Sequence, residues 1–366
     1  VDAGKTTFSE QVLYHTGSIK NRGRVDHKNS FLDSHEIEKK RGITVFSDQA
    51  VFKLNDSMYY LIDTPGHVDF SCEMERAISV MDYAIIIVSA VEGVQGHTET
   101  VWNLLRKYKV PTFFFINKLD RVGANLEGVI CEIRQSLSKE SFYINDLNEL
   151  NESLIEFIAE MDEELLEKYL NNEYESYIWK DKLRKLIKEN KVYPCFAGSA
   201  LQDGGIKEFL NAFDELTFTK YDVNDKFSGI VNKIRYDSNG TRITFIKALS
   251  GKLKVRDEIE IYKGEQKIKE KISSIRIYNG NKFISLDEAQ AGDIFAVTGL
   301  SLLNAGDVVG NLNEKVKLNM IPTLMSSVIY DKSYNEKEVL KYFKILEAED
   351  PALNVLWNDS NKEIQV

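Results

Sequence analysis

The chain has 366 residues, more than one ordinary domain holds, and its 43% hydrophobic and 28% charged residues suit two or three packed domains. Its 47 basic against 57 acidic residues give a formal net charge of −10, which excludes simple electrostatic binding to a nucleic-acid duplex but not local patches on a large ribonucleoprotein. Cys72, Cys131 and Cys195 form no CxxC pair and fit no disulfide framework, the histidines show no HExxH spacing, and no apolar run reaches the roughly 20 residues of a membrane span.

The chain opens on Val1-Asp2-Ala3-Gly4-Lys5-Thr6-Thr7, the second half of a phosphate loop of the form GxxxxGK[ST]. The strand and first glycine of such a loop do not precede it, and Asn361 to Val366 stop within a strand-like pattern, so the chain reads as a fragment cut at both ends. From Val1 to about Thr217 short apolar strands alternate with helices. Ala50–Leu54 and Tyr59–Ile62 read as a hairpin around Asn55-Asp56-Ser57. Tyr83–Ser89, Thr112–Ile116 and Val192–Phe196 read as buried parallel strands. Phe70–Val80, Gly96–Lys107, Leu126–Leu137 and Ile206–Phe213 read as helices. The pattern predicts an α/β domain with a doubly wound, mostly parallel sheet. A Glu/Asn/Lys-rich helical insertion over about 145–190 interrupts it, and charge runs such as Lys180–Lys185 suit a solvated face.

From Phe227 to Leu312 strand-like runs are separated by turn signals, with Asn239-Gly240 the strongest hairpin mark, which predicts a β-barrel. Leu324–Ile329 then reads as a strand, Asn335–Glu349 as an amphipathic helix stopped by Asp350-Pro351, and Asn358–Asn361 as a hairpin turn. The expected division is 1–220 for an α/β P-loop domain, 221–315 for a β-barrel domain, and 316–366 for the start of a third, α+β domain.

Five motifs carry chemistry. At Gly4-Lys5-Thr6, backbone N–H groups opening a helix hold phosphate oxygens, Lys5 balances phosphate charge and Thr6 ligates Mg²⁺. Arg41-Gly42-Ile43-Thr44 supplies a threonine that completes Mg²⁺ coordination only when a γ-phosphate is present. Asp63-Thr64-Pro65-Gly66-His67 places an acid for Mg²⁺ at a strand end, a glycine whose N–H senses the γ-phosphate, and a histidine beside it. In Asn117-Lys118-Leu119-Asp120, Asp120 accepts from guanine N1–H and the exocyclic amine, which adenine does not present. Asn117 ties the base loop to the phosphate loop, and the stem of Lys118 covers the base. In Gly198-Ser199-Ala200-Leu201 the Ala200 N–H is expected to meet guanine O6. Each motif alone is weak or moderate. All five in order at strand ends point to GTP and GDP with Mg²⁺, and to Asp2, Ala3, Gly4, Lys5, Thr6, Thr7, Asp63, Gly66, Asn117, Lys118, Asp120, Ser199, Ala200 and Leu201 as the nucleotide site.

RGIT and DTPGH make the chain resemble the translational GTPases rather than Ras-like proteins, which carry glutamine where His67 stands. The layout resembles the elongation factor G branch, and most of all the tetracycline-resistance ribosomal protection proteins. That likeness rests on Gly23-Arg-Val-Asp26, Phe31 to Glu36, Phe46 to Val51, Val94 to Glu99 and Thr112 to Asp120. The 145–190 insertion is small beside the subdomain of ordinary elongation factor G, and the acid-rich, tryptophan-containing lead-in of its switch is missing. The resemblance implies a cytoplasmic, monomeric GTPase that docks on the ribosome, with no membrane and no DNA partner. There the sarcin–ricin loop of large-subunit RNA sets His67 to order the attacking water. Lys5, Thr44 and Gly66 complete the catalytic set. Val1 and Ile43 match an apolar pair that fences the histidine, and Asp2 matches an acid that holds a monovalent cation. Ribosomal protection, releasing tetracycline, is the expected role. A housekeeping factor of the elongation factor G type and a ribosome-binding module with negligible turnover are the alternatives.

Overall fold

A computed structural model of the chain describes residues 2–23, 30–32, 38, 44–171, 175–263, 266–310, 324–331 and 333–366. The chain divides into two compact units, Val1–Val68 with Met81–Thr219 and Asp69–Val80 with Lys220–Val366. The first part of the chain runs through α1 (Lys5–His15), β1 (Asp48–Leu54), β2 (Ser57–Asp63), α2 (Ser71–Ile78), β3 (Ala84–Ser89), α3 (Gly96–Lys107), β4 (Thr112–Asn117) and α4 (Leu126–Ser136). It continues through β5 (Ser141–Tyr143), α5 (Glu152–Glu160), α6 (Glu163–Leu170), α7 (Ser176–Lys188), β6 (Tyr193–Ala197) and α8 (Ile206–Leu216). Of these, α2 belongs to the second unit.

In the first unit β1 and β2 pair as an antiparallel hairpin, and β3, β4, β6 and β5 lie side by side as a parallel sheet. The central strand β4 shows why its sequence is apolar throughout. Phe113 and Phe115 join the cluster of Phe8 and Phe209, with ring centroids 4.8 Å apart for Phe8–Phe115 and 5.5 Å for Phe115–Phe209. Phe114 alternates to the opposite face and meets Trp102 of α3 at 5.5 Å. Helices therefore cover both faces, and every position of the strand is buried. Asn and Asp side chains start three helices by accepting a backbone N–H of the first turn: Asn125 for α4, Asn151 for α5 and Asp162 for α6. The expected helical insertion is thus three helices, α5, α6 and α7, packed through Leu154, Ile158, Leu165 and Trp179 into the core. The strand β5, which the sequence reading did not include, is a three-residue edge strand paired with β6.

The second unit contains β7 (Ser228–Tyr236), β8 (Arg242–Ser250), β9 (Lys252–Lys254), β10 (Glu258–Lys263), β11 (Gln266–Lys271), β12 (Ser274–Asn279), β13 (Lys282–Leu286), β14 (Glu288–Gln290), β15 (Ile294–Thr298) and β16 (Val308–Gly310). A six-stranded antiparallel sheet in the order β13-β12-β15-β8-β7-β16 and the pairs β10-β11 and β9-β14 build the β-barrel domain. Its core is formed by Val231, Ile246, Ile259, Ile275, Phe295 and Val309, among others. The hairpin at Asn239-Gly240 is organised by Asp237, whose Oδ1 accepts from the N–H groups of Asn239 and Thr241 at 2.9 and 2.8 Å. Then follow α9 (Glu336–Glu349), β17 (Leu356–Asn358) and β18 (Glu363–Gln365). The strand expected over Leu324–Ile329 is a single bridge at Ser327 with Gln365, flanked by hydrogen bonds from Ser326 N–H to Val366 O and Val328 N–H to Ile364 O, both 2.8 Å.

An ion-pair cluster fastens α2 within this unit. The Arg76 guanidinium, 5% exposed, donates to Glu73 at 2.5 Å and to Asp350 at 2.8 Å, and Lys233 lies 3.9 Å from Glu73. Burial works against the Arg76 charge, but Glu73 and Asp350 outweigh it and raise its pKa above the ordinary value. Replacing Arg76 by methionine would take its guanidinium partner from the partly buried Glu73, while the loss at half-exposed Asp350 is screened by water. We expect a stability loss of about 3 kcal/mol in denaturant unfolding. An unchanged midpoint would show that the cluster is dispensable.

Candidate functional site

The motif residues gather at the C-terminal ends of the parallel strands, where open α/β sheets bind ligands. The register pairs Ser89 with Asn117 and Ile116 with Ala197, so the segments after β3, β4 and β6 start level with one another. Gly4 leads into α1 in the left-handed region at φ +90°, and a Cβ there would stand 2.5 Å from Asn117 Nδ2. Both facts require glycine. Thr6 and Thr7 lie in the first turn of α1, so the helix N-terminus and its N–H groups are presented beside Ala3 and Gly4. Asp2 is exposed at φ +55°.

Lys5 reaches across to Gly66. A Cβ on Gly66 would lie 2.1 Å from Lys5 Nζ, so the ammonium fills the space that any side chain there would need. The Thr6 and Thr44 hydroxyl oxygens stand 3.2 Å apart. Two oxygens in adjacent positions of an octahedral Mg²⁺ at its usual bond length are about 3 Å apart, so this pair fits a shared magnesium ion. Asp63, 4% exposed at the end of β2, adds a buried carboxylate of the hard-oxygen type that Mg²⁺ takes. Arg41, Gly42, Ile43 and Val1 lie outside the described residues.

At the other end of the site Asn117 bridges two loops. Its Nδ2 donates to Ala3 O at 2.8 Å, and its Oδ1 accepts from Ala200 N–H at 2.8 Å. Ser199 Oγ donates to Asp120 Oδ1 at 2.5 Å, and Leu119 N–H donates to Gly198 O at 3.1 Å, which binds the Asn117–Asp120 segment to the Gly198–Leu201 segment. Lys118 sits at φ +69° with its ammonium 3.3 Å from Glu92. The Ala200 N–H, expected to meet guanine O6, donates to Asn117 Oδ1 in this structure. The next N–H along, that of Leu201, makes no hydrogen bond among the described residues.

Several residues around the site escaped the sequence reading. Glu10, 1% exposed, accepts from Gly23 N–H at 2.8 Å and Phe31 N–H at 2.6 Å, and Glu38, also 1% exposed, accepts from Val45 and Phe46 N–H at 3.0 and 3.1 Å. These carboxylates brace the chain on either side of Thr44. A buried acid in a helix gives no motif, since its partners are backbone groups. His97, near the start of α3, has a buried Nδ1 without a hydrogen-bond partner. Burial, reinforced by charges that include Lys5 and His67, lowers its pKa below the usual imidazole value. Asp203 accepts from His15 and Arg22, both at 2.6 Å, and these contacts lower its pKa although burial alone would raise it.

This geometry is that of a phosphate-loop nucleotide-binding protein, and comparison with known proteins specifies the class. Residues 1–219 match the family described as Elongation factor Tu GTP binding domain, and residues 226–312 match Elongation factor G domain 2. The chain is 36% identical over 386 residues to the tetracycline resistance protein TetP of Clostridium perfringens, covering 100% of this chain and 59% of that protein. It is 31% identical over 380 residues to tetracycline resistance protein TetS of Listeria monocytogenes, covering 100% and 58%. To elongation factor G of Thermotoga maritima it is 32% identical over 423 residues, covering 97% and 61%. A crystal structure of a Thermus thermophilus protein superimposes with a TM-score of 0.86 at 22% identity, covering 100% of this chain and 62% of that one, a likeness of fold. The chain belongs to the translational GTPases, with a GTP-binding domain of the elongation factor Tu family followed by an elongation factor G domain 2. It spans about three fifths of the length of the relatives named.

Proposed function

We propose that this chain is part of a cytoplasmic, ribosome-dependent GTPase that acts as a tetracycline-resistance ribosomal protection protein. The observation that carries the hydrolytic reading is the 3.2 Å approach of the Thr6 and Thr44 hydroxyls beside the phosphate-loop lysine. It joins a phosphate-loop residue to a switch residue, as a γ-phosphate-dependent site requires. For the protective role, the alignment with TetP runs over 386 positions and that with elongation factor G over 423, so this chain matches the resistance protein with fewer insertions. In this reading residues 1–220 form the GTP-binding domain, 221–315 the barrel and 316–366 the opening of a third domain.

Asp2 to Thr7 wrap the phosphates, with Lys5 and the α1 N-terminus opposing their charge. Thr6, Thr44 and Asp63 would hold a magnesium ion, which would supply further positive charge against the phosphates when bound. Asp2 would hold a monovalent cation. Gly66 N–H senses the γ-phosphate, and His67 orients the attacking water once the sarcin–ricin loop has seated it. Asp120 reads the guanine edge, Lys118 covers the base, and Asn117, Ser199, Ala200 and Leu201 shape the base loop. Phosphoryl transfer needs this positioning and charge stabilisation more than covalent chemistry.

Gly66→Ala is expected to weaken GTP about tenfold, with GDP little changed, in equilibrium binding, because the flexible Lys5 side chain can yield to the added methyl while the disturbance falls on the peptide that meets the γ-phosphate. Equal losses for both nucleotides would remove Gly66 from γ-phosphate sensing. The protective role is tested by release of labelled tetracycline from ribosomes by the intact protein with GTP. Release above that given by elongation factor G supports it. Ribosome-stimulated turnover without release would make the protein a housekeeping factor of the elongation factor G type.

A further inference from the structure

Gln11 stands in the middle of α1 and is 4% exposed. Its Nε2 donates to Ala200 O at 2.6 Å, a buried bond linking the phosphate-loop helix to the Gly198–Leu201 segment, while its Oε1 is buried with no hydrogen-bond partner. The amide orientation follows from the partner, since a carbonyl only accepts. An apolar side chain of similar length would fill the same space without a stranded oxygen, so the glutamine is a poor choice for packing alone. Its bond has a directional consequence. Ala200 C=O and Leu201 N–H belong to one planar trans peptide and point in opposite directions. Holding the carbonyl inward against α1 turns the Leu201 N–H outward, and that N–H is the one without an acceptor among the described residues. The Ala200 N–H cannot take the same role without giving up Asn117 Oδ1.

We propose that Gln11 is a specificity-determining positioning residue that sets the Ala200–Leu201 peptide so that the Leu201 N–H donates to the 6-oxo group of the purine. This rests on the reading of the Gly198–Leu201 segment as the guanine loop. Asn117 fixes the peptide before Ala200 and Gln11 the peptide after it, so the two amides hold the loop from opposite sides. His15 and Arg22, through Asp203, add a second tie between the α1 end of the unit and the same loop.

The test compares two ligands on the intact protein: GDP, and 2-aminopurine riboside diphosphate, which lacks the 6-oxo acceptor and the N1 hydrogen, so that each variant is compared with the wild type on the same ligand. Gln11→Met removes the donor and keeps the shape. It is expected to weaken GDP about tenfold and leave the 2-aminopurine nucleotide unchanged. Gln11→Glu, which turns an oxygen toward Ala200 O, is expected to weaken GDP further, again selectively. Thermal unfolding of the nucleotide-free variants checks that each is folded. Equal weakening of both ligands, or no weakening of GDP, would overturn the positioning role. A wild-type protein that binds the two ligands equally would overturn the guanine-loop reading itself, and the role of Gln11 with it.

Discussion

Replacing His67 by alanine is expected to lower ribosome-stimulated GTP turnover about a thousandfold while leaving GTP affinity within about twofold. The residue follows Gly66, against which the Lys5 ammonium lies, and in the proposed reading its imidazole stands beside the γ-phosphate without itself holding nucleotide. A group that acts only on the attacking water contributes to the transition state and not to ground-state binding. Its loss therefore falls on kcat and spares the dissociation constant. His97 gives a second imidazole in the neighbourhood, but its buried Nδ1 and lowered pKa belong to a ring turned into the protein. It is not expected to take over. A stimulated rate unchanged in the alanine variant would remove His67 from catalysis.

Asp120→Asn is expected to exchange guanine for xanthine, weakening GDP about a thousandfold and improving xanthosine diphosphate correspondingly. In the proposed site the carboxylate accepts from two guanine N–H groups, and each charged hydrogen bond is worth more than a neutral one. Xanthine carries an oxygen in place of the 2-amino group, so it needs a donor where guanine needs an acceptor. Ser199 Oγ donates to Asp120 Oδ1 at 2.5 Å. That contact would keep the asparagine oxygen on the same side and turn its NH₂ toward the base. Preserved guanine preference in the variant, measured by competition, would move base recognition away from this loop.

Much of this architecture is legible in the sequence because its causes are local. The helix expected over Gly96–Lys107 has those bounds in the structure, since an amphipathic pattern with basic residues in its last turn marks both face and end. Asp237 to Gly240 announces its hairpin through turn chemistry, and Asn151 and Asp162 show after the fact where the charged insertion breaks into separate helices. What stays hidden depends on distant partners. The edge strand Ser141–Tyr143 is too short to show a period and is defined by its pairing with β6. Arg76 meets Asp350 across 274 positions, so the grouping of α2 with the second unit has no local signature. The Gln11 bond to Ala200 spans 189 positions, and an isolated glutamine in a helix ordinarily reads as surface. The motifs therefore reveal which residues come to the site, while the buried Glu10, Glu38 and Gln11 that brace it become visible only once the chain is folded.

The ribosome-dependent reading is tested most directly by GTP turnover of the intact protein with and without ribosomes. It predicts a slow intrinsic rate that ribosomes raise by at least about a thousandfold, within the range seen when a partner completes a GTPase site. An equal rate in both conditions, with GTP bound, would contradict it and leave a nucleotide-binding module that does not use the ribosome as its activator.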